Sequence, residues 1–460
     1  MLFVLTADEM RAADAAALST VSHETLVGRA GTAVGVAALR LLGGAYGRRV
    51  TVVAGKGSNG ADGRVAAALL ARRGARVTVI AAADAPAVLP RCDLVVDAAY
   101  GTGFRGSYDA PMVAPGVPVL SVDIASGVDA DTGAAPGAPF RATNTVTFAA
   151  YKPGLLQGAG AGCSGEVQVV DIGVALPTSG AALIDDADVA AGLPPRLRQS
   201  HKWSTALGIA SGSVGMEGSA ILCTRGAMAA GAGMIRLGNP GNPSAAWPTE
   251  AVRVHLDSPR WAEAFLAATE KCRALVIGPG LGTDATTQEE IRTVIARAPL
   301  PLVIDADAIT ALGDAAAARQ LLAQRNGPTV LTPHDGEYAR VAGSAPGDDR
   351  LAAARDLARR IGAVVLLKGA LTAVAAPQGE LPDVLLAAAG GPALATAGTG
   401  DVLSGVIGAF LARGVPAPLA AALGAHVHGR AAALGRPEGL VAGDLPDLIA
   451  TWLSEHAHHG

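Results

Sequence analysis

The sequence predicts two consecutive α/β domains, each built on a mainly parallel β-sheet. Short runs rich in Val and Ile alternate with Ala-rich stretches of helical character, a pattern typical of buried parallel strands separated by helices. The alternation is interrupted around 176–198, where Pro and Gly accumulate as in a linker. A chain of 460 residues is also long enough for two large domains. We therefore place the domains at 1–195 and 196–460.

Composition and charge exclude several classes of protein. Hydrophobic residues make up 50 % and charged residues 17 % of the chain, which excludes a disordered chain. The formal net charge of −4 provides no basic face for nucleic acid or an anionic membrane, and every long apolar run contains Gly, Pro or charge. The 4 cysteines are far apart and form no CxxC pair, which argues against disulfides or a zinc site. We expect a cytoplasmic protein without nucleic-acid or membrane partners.

In the first domain, two helices are predicted at 8–18 and 24–43, before the sheet begins. The apolar run at 49–55 is the first strand of the sheet, and the Ala-rich stretch 61–74 is the helix that crosses over to the next strand. The remaining strands are predicted at 76–82, 93–99, 117–124, 145–150 and 166–173.

The second domain repeats the alternation. Its strands are predicted at 207–211, 273–280, 302–308, 328–334 and 363–369, and its helices at 217–231, 284–297, 348–361, 401–413 and 417–434.

Three polar loops of the first domain follow predicted strands. Gly55-Lys56-Gly57-Ser58-Asn59-Gly60 satisfies GxGxxG and opens a helix, where backbone N–H groups can approach an anion. With Asp84 after the next strand, this favours a dinucleotide-binding turn, although any tight strand-to-helix turn gives the same pattern. Asp97 and Asp123 end two further strands. Because the carboxyl ends of parallel strands meet at one edge, we expect the three loops to share a crevice.

These loops resemble the NAD(P)H-hydrate epimerase family over most of residues 1–175. The matching segments are the glycine loop 55–63, the stretch Asp97–Gly106 with its GTGFRG sequence, and Val122-Asp123-Ile124-Ala125-Ser126-Gly127. The resemblance implies a Rossmann-like three-layer fold, with Asp123 contacting substrate and acting as acid/base, and a potassium ion held by Asn59, Asp97 and Ser126. It also implies substrate contacts from Ser58, Asn59, Gly60, Ala61, Asp62, Gly101, Thr102, Gly103, Phe104, Arg105, Gly106, Ser107 and Asp123.

The sequence departs from this family pattern at three positions. Ser58 stands where the family has Asn, Ala61 where it has Gly, and Ala125 where it has Pro. A Cβ at position 61 is costly if the backbone there needs a positive φ. Two interpretations therefore stay open, an active epimerase and a domain that only binds or senses a ligand.

The strongest motif of the second domain is Gly398-Thr399-Gly400-Asp401 at the start of a predicted helix. Consecutive small residues leave backbone N–H groups free to bind an anion, and the helix dipole favours negative charge there. Asp401 is well placed to accept a proton from a hydroxyl group that attacks a phosphate. As a bare pattern, the same residues also form a capped helix start.

With its surroundings, this motif resembles the nucleotide-dependent NAD(P)H-hydrate dehydratases, a ribokinase-like α/β family, across about 201–455. The surrounding segments are Gly278–Gly282, Asp305–Ala308, Leu331–Glu337 and Leu367–Ala370. The resemblance implies ADP or ATP as phosphoryl donor with Mg²⁺, and substrate contacts from Ala220, Gly280, His334 and Asp401. It assigns the nucleotide to Lys368, Gly369, Ala370, Leu371, Thr372 and Gly400.

Four of these polar residues have alternative interpretations. Lys368 follows a buried strand, where a lysine without a function would be costly. His334 either contacts substrate or makes only a structural hydrogen bond. Asp305 and Asp307 either bind Mg²⁺ indirectly or cap the helix that they open, and we predict the cap.

Together the resemblances imply a bifunctional repair enzyme for nicotinamide nucleotides, which we expect to be a homo-oligomer. The first domain would epimerise hydrated NADH and NADPH, and the second would dehydrate the S epimer. A ribokinase-like kinase for a small vitamin precursor with a non-catalytic N-terminal domain is the main alternative. An NAD-dependent dehydrogenase built on the GxGxxG turn is a weaker one.

Overall fold

The computed structural model describes residues 1–177, 180–241, 247–256, 259–378 and 382–457. They form two compact units, Leu2–Gly180 and Ala181–Gly460. The division lies earlier than the predicted boundary at 195/196. Ala181–Leu183 forms a strand that pairs in parallel with Val384–Ala387, so the stretch predicted as a linker already contributes to the second unit.

The first unit contains a six-stranded sheet in which all neighbouring strands are parallel. The strand order is β3-β2-β4-β5-β6-β7. The chain leaves β2 toward β3 on one side and reaches β4 on the other, and this reversal opens a crevice at the carboxyl ends of β2 and β4. The elements are β1 Leu2–Val4, α1 Ala7–Leu18, α2 His23–Leu42, β2 Arg49–Ala54, α3 Ser58–Arg72, β3 Arg76–Ala81, β4 Leu94–Ala98, β5 Val119–Val122, β6 Asn144–Phe148, α4 Gly158–Ser164 and β7 Glu166–Val170.

Helix α2 is one of the core helices of this unit. Ser22 caps its N-terminus by accepting the Thr25 N–H, and Gly43 ends it in the left-handed conformation. Its apolar face packs with α3 and the sheet in one hydrophobic cluster. By length and composition alone, α2 is also apolar enough to cross a membrane, which is weak evidence for a helix whose face is buried in a core.

The second unit contains ten strands of the described chain in the order β8-β17-β16-β15-β14-β13-β12-β9-β10-β11. Within this run β16 alone is antiparallel to its neighbours. Strand β9 lies between β10 and β12, so a second reversal of strand order occurs there. The elements are β8 Ala181–Leu183, α5 Asp186–Gly192, β9 Ala206–Ala210, α6 Glu217–Ala229, β10 Met234–Gly238, β11 Val252–Val254, α7 Ala262–Thr269, β12 Ala274–Ile277, α8 Ala285–Arg297, β13 Leu302–Ile304, α9 Asp307–Leu312, α10 Ala315–Leu322, β14 Thr329–Leu331, α11 Asp335–Ala342, α12 Arg350–Ile361, β15 Val364–Leu367, β16 Thr372–Ala375, β17 Val384–Ala387, α13 Thr399–Ala412, α14 Ala417–Ala432 and α15 Leu445–His456.

Close packing against α6 holds the start of α13 in place. Val303 of β13 joins α6, α13 and α14 in the largest core, whereas Leu302 and Ile304 are buried outside it, so both faces of the sheet are covered. A Cβ at Gly405 would lie 2.0 Å from the carbonyl oxygen of Cys223. The glycine after the GTGD motif therefore allows the two helices to touch.

Candidate active sites

The first candidate site is a cavity of about 910 Å³ in the first unit. It lies where the loops after β2, β4 and β5 meet, which confirms the expected crevice. Most of the predicted substrate-contacting residues line it, whereas Gly60, Ala61, Gly106 and Ser107 do not. The predicted residues that line the cavity are Ser58, Asn59, Asp62, Gly101, Thr102, Gly103, Phe104, Arg105 and Asp123.

Asp123 is held in this cavity by a buried lysine. Its φ is +67°, a left-handed conformation that costs energy for a residue with a Cβ and is common at functional sites. The Lys152 ammonium donates to Asp123 Oδ1 at 2.7 Å, and the Thr147 hydroxyl donates to the same atom at 3.1 Å. Lys152 is only 1 % exposed. Because an unpaired buried ammonium is very costly, the ion pair fixes both groups.

Lys152 was not among the residues predicted from the sequence, although a signal was available. The residue follows β6 in the stretch Tyr151-Lys152-Pro153-Gly154. The argument that predicted a function for Lys368, a charged residue directly after a buried strand, applies equally here.

Asp97 lies beneath the cavity and is fully buried. Its oxygens accept hydrogen bonds from the Ser126 N–H at 2.8 Å, from the Ser121 hydroxyl at 2.9 Å and from the Ser126 hydroxyl. Asn59 reaches the same region, since its amide donates to the Tyr100 carbonyl at 2.9 Å. Burial raises the pKa of Asp97, and its hydrogen-bond donors are neutral. A monovalent cation would supply the missing counter-charge, so these residues fit a potassium ion.

The departures from the family pattern cause no backbone strain. Ala61 lies within α3, and its φ is not positive. The Cβ of Ala61 therefore causes no backbone strain at this position. Ser58 begins that helix, and its hydroxyl lies 3.3 Å from His23 Nε2. Ala125 is completely buried in a small apolar cluster.

The second candidate site is built around Asp305, which directly follows β13 and is 1 % exposed. The Lys368 ammonium donates to Oδ1 at 2.7 Å, the Thr332 hydroxyl donates to Oδ1 at 2.7 Å, and the Ser404 hydroxyl donates to Oδ2 at 2.7 Å. Burial alone would raise the pKa of Asp305, but Lys368 and the two hydroxyls hold it below its usual value. The same pair raises the pKa of Lys368 despite its burial.

The prediction that Asp305 and Asp307 cap a helix is wrong. Helix α9 begins at Asp307, its N-cap is Ala306 with a φ of +49°, and no side chain caps it. Asp305 serves as the counter-ion of Lys368 instead. Asp307 Oδ2 accepts the N–H of Gly282 at 2.8 Å, which ties the loop after β12 to the start of α9.

Asp401 lies in the first turn of α13, next to this ion pair. Gly398 is the N-cap of α13 and has a φ of +87°, a conformation that glycine adopts at little cost. Burial raises the pKa of Asp401 to about 6, and a hydrogen bond from Ser219 opposes the shift. Lys368 Nζ lies 3.4 Å from the position that a Cβ at Gly400 would take. The structure therefore brings the GTGD motif and the predicted nucleotide lysine together.

The predicted substrate residues of this site come from three further elements. Ala220 is buried on α6, and a Cβ at Gly280 would lie 2.9 Å from Ser219 Cβ on that helix. His334 caps α11, because its ring Nδ1 accepts a hydrogen bond from the Gly336 N–H at 3.0 Å. The backbone N–H of His334 donates to the Glu337 side chain at 2.9 Å. The structural hydrogen bond proposed for His334 is thus present, and its contact with substrate stays a prediction.

The segment Lys368–Thr372 connects β15 to the antiparallel strand β16. Arg350 holds this turn, since its guanidinium donates to the Lys368 carbonyl and pairs with Asp335 at 2.9 Å. Among the described residues, no group of three or more His, Cys, Asp or Glu could hold a metal ion. Both oxygens of Asp305 are engaged, so this site presents no ready protein cage for Mg²⁺.

Comparisons with known proteins bear on both units. A family model described as NAD(P)H-hydrate dehydratase matches residues 207–454, and one described as YjeF-related protein N-terminus matches 23–91 and 81–154. A bifunctional NAD(P)H-hydrate repair enzyme of Mycobacterium leprae (strain TN) is 40 % identical over 477 residues, covering 97 % of this chain and 96 % of the relative. The chain belongs to the bifunctional NAD(P)H-hydrate repair enzyme family.

Another member of this family agrees with that assignment, and one solved structure bears on the fold. A bifunctional NAD(P)H-hydrate repair enzyme of Escherichia coli (strain K12) is 33 % identical, with 86 % of this chain and 83 % of the relative covered. A ribokinase-like superfamily protein from Enterococcus faecalis V583 superposes with a TM-score of 0.53 at 24 % identity, covering 62 % of this chain and 99 % of that one. The predicted α/β class and the ribokinase-like fold are confirmed.

Proposed function

We propose that this chain repairs hydrated nicotinamide nucleotides in two steps, one in each unit. The first unit epimerises the R and S hydrates of NADH and NADPH, and the second dehydrates the S hydrate with an adenine nucleotide as phosphoryl donor. The observation that carries the proposal is a likeness to bifunctional repair enzymes over 97 % of the chain, with an organised polar site in each matched region.

In the second unit, the backbone N–H groups at Gly398–Gly400 bind the transferred phosphoryl group at the N-terminus of α13. Asp401 takes the proton from the substrate hydroxyl group as that hydroxyl attacks the phosphoryl group. With a pKa of about 6, Asp401 is ionised at neutral pH and is basic enough to accept this proton. Lys368, held by Asp305, faces the nucleotide phosphates. Expulsion of phosphate from the phosphorylated hydrate then restores the double bond of the nicotinamide ring.

In the first unit, Asp123 exchanges a proton with the hydrated ring, and the glycine loop at the start of α3 binds the pyrophosphate. Asn59, Asp97 and Ser126 would hold a potassium ion, which would balance the charge of Asp97. Mg²⁺ would be bound mainly by the nucleotide phosphates and would offset their charge, because both oxygens of Asp305 already accept hydrogen bonds. We further propose that the protein is cytoplasmic, where its four buried, unpaired cysteines stay reduced.

A coupled assay tests the proposal. The full chain is incubated with purified R hydrate and either ADP or ATP, and the return of NADH absorbance and the release of phosphate are followed together. We expect both signals in the wild type, neither with Asp401→Asn, and slow recovery with Asp123→Asn. Accumulation of a stable phosphorylated product without NADH would identify a small-molecule kinase instead.

A further inference from the structure

The first cavity contains a buried carboxyl group for which the mechanism above has no chemical role. Asp62 lies on α3, is 6 % exposed and lines the same cavity as Asp123. Within the described part of the chain, its side chain makes no hydrogen bond or ion pair. Buried polar groups are almost always partnered, so an unpartnered one needs an explanation. Here the explanation is that the Asp62 carboxyl group faces the cavity and is available to a ligand.

Asp62 and Asp123 differ in their charge partners. Asp123 faces the Lys152 ammonium at 2.7 Å, whereas Asp62 has no cation. Burial, together with the nearby charge of Asp123, raises the pKa of Asp62 to about 8. At neutral pH, Asp62 therefore carries a proton and Asp123 has its negative charge balanced. Two carboxyl groups in one cavity, one paired with a cation and the other without one, form the arrangement of an acid–base pair.

We propose that Asp62 is the general acid of the epimerisation and Asp123 its general base, so that one carboxyl group gives a proton while the other takes one. This inference rests on the proposed epimerase function. It replaces a single acid/base residue with two groups on different elements, α3 and the loop after β5.

The two groups account for a balanced reaction. The hydroxyl-bearing carbon of the hydrate is bonded to the ring nitrogen. Asp62 protonates the hydroxyl, the carbon–oxygen bond breaks, and water leaves as the nitrogen lone pair forms a carbon–nitrogen double bond. Water then adds to the other face of that carbon and gives its extra proton to Asp123. One water molecule leaves and one enters, and transfer of the proton from Asp123 back to Asp62 through solvent restores the site.

The remaining charged groups of the cavity do not provide Asp62 with a partner. Arg64 donates to the Gly55 carbonyl at 3.0 Å, Arg105 lies within 3.6 Å of Asp129, and His23 lies beside Ser58. Apart from His23, the residues of α2 that line the cavity are apolar: Leu26, Val27 and Ala30. The titratable or charged groups lining the cavity besides Asp62, Asp123 and Lys152 are Asp14, His23, Lys56, Arg64, Tyr100 and Arg105.

The test measures interconversion of R and S hydrates by the full chain without nucleotide, using chromatography across pH 5–10, for the wild type, Asp62→Asn and Asp14→Asn. Asparagine has the shape and neutrality of a protonated aspartic acid, so the variant keeps its fold, as thermal unfolding will verify. We expect Asp62→Asn to lose about 10²–10⁴-fold in kcat. The wild-type rate should fall above about pH 8, where Asp62 loses its proton, and the residual rate of Asp62→Asn should lack that fall.

Asp14→Asn is the matched control, because it removes a second carboxyl group that lines the same cavity and whose pKa is also raised by burial. Asp14 lies on α1 and is more exposed than Asp62, so this variant should keep both the rate and the fall at high pH. A wild-type rate in Asp62→Asn, or a reduced rate that still falls above pH 8, overturns the assignment of Asp62. Absence of interconversion by the wild type at every pH overturns the epimerase function itself.

Discussion

Each unit contains a lysine–aspartate pair with one buried partner at the carboxyl ends of its parallel strands, but the buried partner is Lys152 in the first unit and Asp305 in the second. In the first unit, Lys152 pairs with Asp123, the residue proposed to react. In the second unit, Lys368 pairs with Asp305, while the proposed base Asp401 forms no ion pair among the described residues. The proposed reacting carboxylate is therefore paired with a lysine in the first unit, whereas Asp401 of the second unit has no ion-pair partner among the described residues.

This difference shows how a buried ion pair can serve two purposes. Around Asp123 the lysine balances the charge of the reacting group and locks its strained backbone in place. Around Asp305 the carboxylate instead holds the lysine, whose ammonium stays directed toward Gly400. Asp401 forms no ion pair of its own among the described residues, and burial raises its pKa to about 6 although nearby Lys368 opposes the shift. This makes Asp401 a stronger base than an exposed aspartate.

The largest effect is expected from Asp401→Asn. The amide is nearly isosteric but cannot accept the hydroxyl proton, so kcat for dehydration should fall by about 10²–10⁴-fold. Nucleotide affinity should change little, because Lys368 and the N-terminus of α13 remain, and R/S interconversion should stay at the wild-type rate. A variant that keeps more than about a tenth of its dehydration rate would show that Asp401 is not the base.

Replacing the lysines distinguishes the two pairs. Lys368→Met leaves the buried carboxylate of Asp305 without a cation, which typically costs about 3–5 kcal/mol, and denaturant unfolding should show this loss. Lys152→Met leaves Asp123, whose side chain is 13 % exposed, without a cation, so its loss of stability should be smaller. Lys152→Met should abolish epimerisation alone, and Lys368→Met should weaken nucleotide binding alone.

The double variants complete that comparison. Lys152→Met/Asp123→Asn and Lys368→Met/Asp305→Asn remove the unpaired charge and should recover much of the stability without recovering activity. If Lys152→Met kept its stability and its epimerisation rate, the ion pair would have neither role.

Much of the fold was predictable, because the strands of the first unit are short Val-rich runs that local pattern identifies. The expected burial is wrong only for β3 and β7, which are largely exposed because they form the two edges of the sheet. The predicted strands at 49–55, 76–82, 93–99, 117–124, 145–150 and 166–173 coincide with β2–β7. Local pattern failed for β10, β11, β16 and β17, which are only three to five residues long. It also failed for β8, because that strand is defined by its pairing with residues about 200 positions away in the sequence.

The sites show the same division between local and long-range information. Glycine loops and the GTGD motif are contiguous in sequence, so they could be found there. The ion pairs join residues 29 and 63 positions apart, and no single-sequence pattern reports such contacts. The local sequence around Asp305 predicts a helix cap, because the pairing with Lys368 cannot be read from neighbouring residues. The structure shows Asp305 as the counter-ion of Lys368.

A smaller effect is expected from pH in the second unit. Asp401 must be ionised to act as a base, and its pKa is raised to about 6. The dehydration rate should therefore be constant at neutral pH and fall by about tenfold per unit well below pH 6. The epimerisation rate, measured in parallel, should not share this fall at pH 6. A dehydration rate that stays flat down to pH 4.5 would contradict the shift.

The smallest expected effect concerns potassium in the first unit. Asp97 is fully buried, and its partners are neutral donors, so a cation that fits beside it should favour the folded and active state. Replacing potassium by tetramethylammonium, which is too large for the site, should lower both the epimerisation rate and the unfolding temperature of the first unit. Asn59→Ala removes one oxygen ligand and should raise the potassium concentration that gives the half-maximal rate. Equal rates and equal unfolding temperatures in both salts would show that the hydroxyl and N–H donors around Asp97 suffice, and that its charge needs no cation.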